Sequence, residues 1–312
     1  MVTIYKKDKN ELKEINKFEK DSWINLSNPT KDEIDETINK FNLPEDFITD
    51  SIDADEKSRV DLEDGNILVI LRVPTPDIND VETPFNTSSF GIILLKDCCM
   101  TVYRNTQFNI LADLFNSKKI KNIEALEDRI KFLLRIFHRS SVLYLKYLKE
   151  INSTIAQVEK EFKKNSNNNS LAKLLNLEKS LIYFKTGLKS NEVVMNKFKK
   201  YRTIQKDEIN QDLLEEALIE NSQAIELANI YSKVLDDMKN YFFSIISNNL
   251  NKRVSGLTII TAALTIPMVL TGFFGMNLKL PFQNSDFTYV FVIVVSILSV
   301  GIPLFVVIRD KK

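Results

Sequence analysis

The chain has 312 residues, and Lys+Arg and Asp+Glu balance at 42 each, so no global field or basic stripe favours nucleic acid. That length holds one large or two ordinary cytosolic domains beside a membrane segment. The two cysteines, Cys98 and Cys99, are adjacent and on a strand would point to opposite faces, which excludes a thiol metal cage and argues against a bond between them.

Residues 1–117 read as a mixed α/β domain. The N-terminus, Met-Val-Thr-Ile-Tyr-Lys-Lys, has no apolar h-region, so no secretory signal peptide is expected there. Val2–Tyr5 and Trp23–Leu26 look like short strands. Thr30, followed by Asp32 and Glu33, caps a helix through Ile34, Ile38 and Phe41, with acids in its first turn to suit the helix dipole. A second short helix follows Pro44-Glu45-Asp46. Arg59–Leu62 and Asn66–Val73 flank Asp64-Gly65, a hairpin signal. Phe90–Leu95 and Cys98–Tyr103 form another pair around Lys96-Asp97.

Residues 118–206 change to a helical pattern, an antiparallel pair. One helix runs from about Ile123 to Lys164 and ends in the polar tract Asn165–Ser170, a turn. The second runs from Leu171 to about Tyr201, with Leu174, Leu175, Leu177, Leu181 and Phe184 on its apolar side. His138, the one histidine, sits among Arg135, Ile136 and Phe137 and reads as structural.

A third helix starts near Asp207, with residues 207–253 as its cytosolic stalk and 254–274 as a membrane span. Leu214, Leu218, Asn221, Ile225, Ala228, Ser232, Leu235, Phe242, Ile245 and Asn249 recur mostly at spacings of three and four. The seam is expected to run on through Asn251, Val254, Thr258, Thr261, Thr265, Met268 and Gly272. At about 1.5 Å per residue such a helix is roughly 100 Å long, and its repeat argues for a bundle of like helices. The polar members of its inner seam fit either register specification or a wet vestibule.

From Val254 to Phe274 no residue is charged, and about 20 apolar residues are enough to cross a bilayer. A polar loop over 275–286 leads to a second uncharged run, 287–308, and a basic tail, 309–312, so the two spans form a hairpin. Lys252 and Arg253 precede the first span, Arg309, Lys311 and Lys312 follow the second, and Lys279 alone lies in the loop. Positive residues stay inside, which places both termini in the cytoplasm.

Ser247–Asn251, the threonine-rich span with Pro267, the ending Gly272-Phe-Phe-Gly275-Met276-Asn277 and the basic tail resemble the CorA magnesium transporters. The resemblance covers the whole architecture and is most specific from Glu208 to Asn277. It implies an α+β fold, with an N-terminal α/β cytosolic domain, long antiparallel and stalk helices, and a C-terminal two-helix transmembrane hairpin. It also implies a homopentamer in the plasma membrane, with the first span lining the pore and the second facing lipid. Gly275, Met276 and Asn277 would then form the selectivity mouth. Asn251, Val254, Thr258, Thr261, Thr265, Met268 and Gly272 would line the path, with Leu257 rather than Thr258 at the wall in the first turn. Val254 and Leu257 would make a hydrophobic constriction able to gate by dewetting.

With no carboxylate in the span, a naked divalent ion would lack compensating charge, and Mg²⁺ sheds its water reluctantly, so the ion is expected to pass hydrated. Gly275 and Asn277 also fit plain helix capping, and Pro267 would free the carbonyl of Ala263, either hydrated or at a kink. The resemblance further implies that Mg²⁺ acts as a regulatory as well as a transported ion. Sensing would lie at subunit interfaces, through Asp50 and Glu216, with Asp53 close by and Thr49 where the family pattern has an acid.

The expected function is therefore divalent-cation transport into the cytoplasm, of Mg²⁺ and also Co²⁺ or Ni²⁺, gated by intracellular Mg²⁺. Zn²⁺ transport is the alternative within the same superfamily, and a non-conducting coiled-coil scaffold the alternative outside it. No glycine-rich phosphate loop, nucleophile elbow or Cys/His metal spacing supports an enzyme.

Overall fold

The computed structural model describes residues 1–8, 11–76, 80, 82–104, 128–164, 168–276 and 286–309. The boundary expected at 117/118, a helix onset at Ile123, Asn165–Asn167, Asn277, Lys279 and the tail beyond Arg309 lie outside them. The chain divides into two compact units, Met1–Lys239 and Asn240–Lys312.

Seven strands form one sheet: β1 (Val2–Asp8), β2 (Glu11–Ile15), β3 (Ser22–Ser27), β4 (Arg59–Glu63), β5 (Asn66–Pro76), β6 (Phe85–Leu94) and β7 (Cys98–Tyr103). Their order is β2-β1-β3-β7-β6-β5-β4, antiparallel except where β3 meets β7. Leu68–Leu71 and Cys98–Tyr103 are buried throughout, which is why both stretches read as continuous apolar runs rather than alternating ones. One side of the core gathers Ile24, Leu26, Leu68, Ile70, Ile93, Met100 and Val102 with Phe47 and Ile48. On the other, Trp23 meets Phe132 of the long helices, which also bring Tyr147 and Phe184 against Phe85 at the start of β6.

Helix α1 (Lys31–Phe41) starts as the sequence indicates. Thr30 Oγ1 accepts from the Glu33 amide at 3.3 Å, and the Glu33 carboxylate accepts from the Thr30 amide at 2.9 Å, a reciprocal capping box. Helix α2 (Glu45–Thr49) runs into a short 3₁₀ turn, Asp50–Ile52. Asp64 (φ 51°) and Gly65 (φ 79°) both take positive φ, as a two-residue hairpin turn requires.

Three strand readings are corrected. β2, Glu-Leu-Lys-Glu-Ile, is charged because it lies at the sheet edge, where charge blocks further pairing. β6 begins at Phe85 rather than Phe90, and β5 continues past Val73 through Pro74 and Pro76. β4 pairs with β5 only as far as Ile70; beyond it the Arg72 amide turns away from β6 and donates to Ser58 Oγ and Asn191 Oδ1. Pro74 and Pro76 share that parity, so their missing N–H groups fall on the side with no ladder partner.

The helices that follow are α3 (Arg129–Lys164), α4 (Asn168–Phe198), the short α5 (Arg202–Gln205), α6 (Glu208–Phe274) and α7 (Asp286–Arg309). α4 starts within the tract read as a turn, three residues before Leu171. In the first unit α6 packs on α3 and α4: Ser141 donates to the Ala217 carbonyl (3.3 Å), Asn221 Nδ2 to the Leu188 carbonyl (3.1 Å), and Lys239 pairs with Glu178 (2.7 Å).

Candidate functional site

α6 is one helix of 67 residues whose exposed and sheltered faces change meaning along its length. Of the expected seam Leu214, Asn221, Ala228 and Leu235 are buried in the first unit, with Ala217 and Ala224 beside them, so the chain's own helices close it there; Leu218, Ile225 and Ser232 are half-buried and Asn249 is exposed. Asn221 is 0% exposed, and its amide is committed to Leu188; it is no part of a wet vestibule.

The sequence reading also changed face in crossing into the membrane stretch. Its step from Asn249 to Asn251 turns about 200° around the helix. From Gly256 onward the sheltered stripe is Gly256, Ile259, Ala263, Pro267, Leu270 and Phe274, while Val254, Thr258, Thr261, Thr265, Met268 and Gly272 are all exposed on the opposite side. Counting back from Thr258 by threes and fours gives Val254, Asn251, Asn248, Ser244 and Tyr241, then Asp237, Lys233 and eventually Glu216, and each of these is exposed. The spacing of that stripe is present in the sequence, beside the apolar seam of the stalk. In α7 Val292, Val295, Ser296 and Ser299 are half-buried.

The threonine hydroxyls are oriented by the helix itself. Thr258 donates to the Val254 carbonyl (3.0 Å), Thr261 to Leu257 (2.9 Å), and Thr265 to Thr261 (2.8 Å). Each hydroxyl proton is thereby used, and only oxygen lone pairs remain to face outward. Leu257, Thr258, Thr261, Ala262, Thr265 and Ile266 line an open groove along this face. Leu257 is exposed. Pro267 and Ala263 fall on the sheltered stripe, so the carbonyl freed by Pro267 does not belong to the threonine face.

The helix then stops. Gly275 N donates to the Thr271 carbonyl (2.8 Å), and Met276 N to Phe273 (3.4 Å), the last bonds before Asn277. A Cβ at Gly275 would lie 2.9 Å from the Thr271 carbonyl oxygen, closer than the helix end tolerates. Gly275 keeps this ordinary helical bond without the positive φ of a left-handed cap, and Met276 is exposed.

The acids expected to sense Mg²⁺ are arranged otherwise than their types alone imply. Asp50 Oδ2 accepts from Arg59 Nη2 (2.7 Å), Glu56 Oε1 pairs with Nη1 (2.6 Å), and Asp61 Oδ2 with Nε (2.5 Å). Partial burial pulls the Arg59 guanidinium down, but its bonds to Asp61, Asp50 and Glu56 outweigh this and hold it above its ordinary value. Asp53 is exposed and accepts from the Asp55 amide (3.0 Å). Arg72 fixes the same loop from beneath, donating to the carbonyls of Ala54, Glu56 and Thr87. Glu216, 55% exposed, lies 3.6 Å from His138 Nε2, a contact the sequence gave no sign of. Among the described residues no three His, Cys, Asp or Glu side chains are grouped to hold a metal ion within one chain. Cys98 and Cys99 are free and buried, and burial pushes the Cys98 thiol up to about 12.

Among the described residues α6 is the helix long and apolar enough to cross a membrane, and α7 contains a shorter apolar run, Val290–Ile302. The chain is 26% identical to the cobalt/magnesium transport protein CorA of Methanocaldococcus jannaschii over 290 residues, covering 91% of this chain and 89% of that protein. It is 23% identical to the magnesium transport protein CorA of Helicobacter pylori over 286 residues, covering 90% and 87%. Its fold matches the complete structure of the Methanocaldococcus jannaschii CorA magnesium transporter with a TM-score of 0.80 at 20% identity, over 98% of this chain and 96% of that one. The model of the CorA-like Mg²⁺ transporter protein family matches residues 19–309, and the chain belongs to that family of divalent-cation transporters, which are not enzymes.

Proposed function

We propose that the chain forms a homopentameric channel in the plasma membrane that carries hydrated Mg²⁺ into the cytoplasm. Two spans per chain cannot enclose an aqueous path, so several copies must place one face of the 254–274 stretch around a shared axis. The observation that carries this reading is the exposed threonine stripe, opposite the sheltered one, with its hydroxyl protons already bonded within the helix. A hydrated cation presents water hydrogens outward, and a wall of oxygen acceptors receives them without stripping the shell. Mg²⁺ keeps its waters tightly, so such a wall suits it better than a cage of direct ligands would. No carboxylate lies in the span to bind the ion and hold it there.

Val254 and Leu257, both exposed and apolar, form the constriction at the cytoplasmic end, next to Lys252 and Arg253. Both termini lie in the cytoplasm, α7 faces lipid, and Asn277 offers its amide oxygens at the outer mouth. Closure by intracellular Mg²⁺ is a property of the assembled ring, for which Asp53 and Glu216 are exposed. Co²⁺ and Ni²⁺ share the octahedral water shell and follow the same path.

The test is uptake of Mg²⁺, Co²⁺, Ni²⁺ and Zn²⁺ into proteoliposomes by the full-length protein. Mg²⁺ flux that falls at least tenfold in Asn277→Ala and rises in Leu257→Ser supports the channel. Flux confined to Zn²⁺ replaces Mg²⁺ with the zinc alternative, and no flux of any ion leaves the scaffold.

A further inference from the structure

Arg59 occupies an unusual position for a half-buried arginine in an ion transporter. Each of its three guanidinium nitrogens meets a different carboxylate: Nη2 meets Asp50 of the 3₁₀ turn, Nη1 meets Glu56 of the following loop, and Nε meets Asp61 of β4, at 2.5–2.7 Å. A planar fork of donors thus meets acceptors from three separate segments, one oxygen from each carboxylate. Thr49 adds a hydroxyl contact to the second oxygen of Asp50 at 3.4 Å. The backbone carrying these acids is not free to rearrange. Arg72 grips the carbonyls of Ala54 and Glu56, and Ser89 Oγ bonds the Asp53 carbonyl. Ser58 is tied to Ser190 and Asn191 of α4 at 3.1 and 2.8 Å.

Each carboxylate gives Arg59 one oxygen and keeps the other, but a divalent ion approaching that second oxygen meets the repulsion of the guanidinium charge held beside it. We propose that Arg59 is the resident counter-cation of this acidic rim, so that intracellular Mg²⁺ does not act through Asp50 in this chain while Arg59 is present. The rim is then a specificity determinant. The tethered cation suppresses a response to divalent ions that the carboxylates alone would give, and leaves sensing to the acids outside Arg59's reach. The proposal rests on the transport reading only for its consequence, since the competition at Asp50 is a property of the cytosolic unit.

The experiment is a Mg²⁺ titration of the thermal unfolding midpoint of full-length protein in detergent, run beside Mg²⁺ inhibition of flux in proteoliposomes. The variants are Arg59→Gln, Arg59→Lys, Asp50→Asn and the double variant Arg59→Gln/Asp50→Asn. Asp50→Asn is expected to leave the Mg²⁺ response of the wild-type protein within twofold. Arg59→Gln is expected to respond at Mg²⁺ concentrations at least tenfold lower, the double variant to lose that gain, and Arg59→Lys, which keeps the charge but not the fork, to fall between wild type and Arg59→Gln. A tenfold weaker response in Asp50→Asn alone overturns the proposal, as does an Arg59→Gln response equal to wild type. Should Arg59→Gln fail to fold, Asp50→Asn against wild type decides by itself. Absence of flux removes the transport reading while the unfolding titration still reads the competition, so the two fail separately.

Discussion

The two ends of α6 solve opposite problems with the same helical repeat. Between Leu214 and Leu235 the three-and-four spacing carries Leu, Ala and Asn that are buried against α3 and α4 of their own chain. Between Val254 and Gly272 the same spacing carries Thr, Val, Met and Gly that are left exposed. The first stretch is complete in one copy of the chain; the second, in the proposed channel, is completed by other copies. A repeat in the sequence therefore says that a face exists, and not who covers it.

The contrast breaks first under deletion of core volume. Phe137 is fully buried in α3 and meets Phe198 edge-on at 5.5 Å, so Phe137→Ala should lose about 3–5 kcal/mol of stability through lost transfer energy and the cavity left behind. Chemical denaturation of the full-length protein in detergent reads this, and a loss below about 1 kcal/mol would mean that the first unit does not depend on its own core. Asn221→Ala comes next. It removes a second donor from the Leu188 carbonyl, which keeps its bond within α4, a cost of about 0.5–1.5 kcal/mol, and should leave the Mg²⁺ flux per folded protein unchanged. A flux defect without a stability defect would return Asn221 to the ion path.

Much of the fold was legible because local chemistry and tertiary structure agree. The Thr30–Glu33 capping box, the Asp64-Gly65 turn and the apolar runs of β5 and β7 were each read from short signals that the packing then reinforced. What stayed hidden depended on distant partners. Nothing local shows that Pro74 and Pro76 fall on the unpaired side of β5, since that depends on where β4 stops. Of the candidate site, the threonine face was legible from spacing. Its backward continuation is masked by the apolar seam of the stalk, a stronger pattern on another face of the helix. Arg59 was overlooked for a related reason. Asp50 and Asp61 lie on either side of it in sequence, but only the chain reversal between α2 and β4 brings both to one guanidinium.

The open face provides the next test. Thr261→Val keeps shape and removes the oxygen, so each subunit loses one acceptor for the ion's water. A lost hydrogen bond of about 1–1.5 kcal/mol in the passing state corresponds to roughly a tenfold fall in Mg²⁺ flux. The unfolding midpoint should stay put, because the Thr261 hydroxyl bonds only within its own turn. Unchanged flux with a lowered midpoint would make this a packing face between helices and not a water-facing wall.

The smallest effect sharpens the comparison most. Met268 is 69% exposed on the same stripe, so Met268→Ala removes a side chain that the single chain does not bury. If copies of the chain surround water there, stability in detergent should change by no more than about 0.5 kcal/mol, as at other exposed positions. The same truncation at Leu214, 2% exposed in the first unit, should cost about 2–5 kcal/mol. Equal losses at the two positions would mean that the Met268 face is packed dry in the assembly. The ion would then have to follow some other surface of the helix, and the acceptor wall drawn from Thr258, Thr261 and Thr265 would lose its purpose.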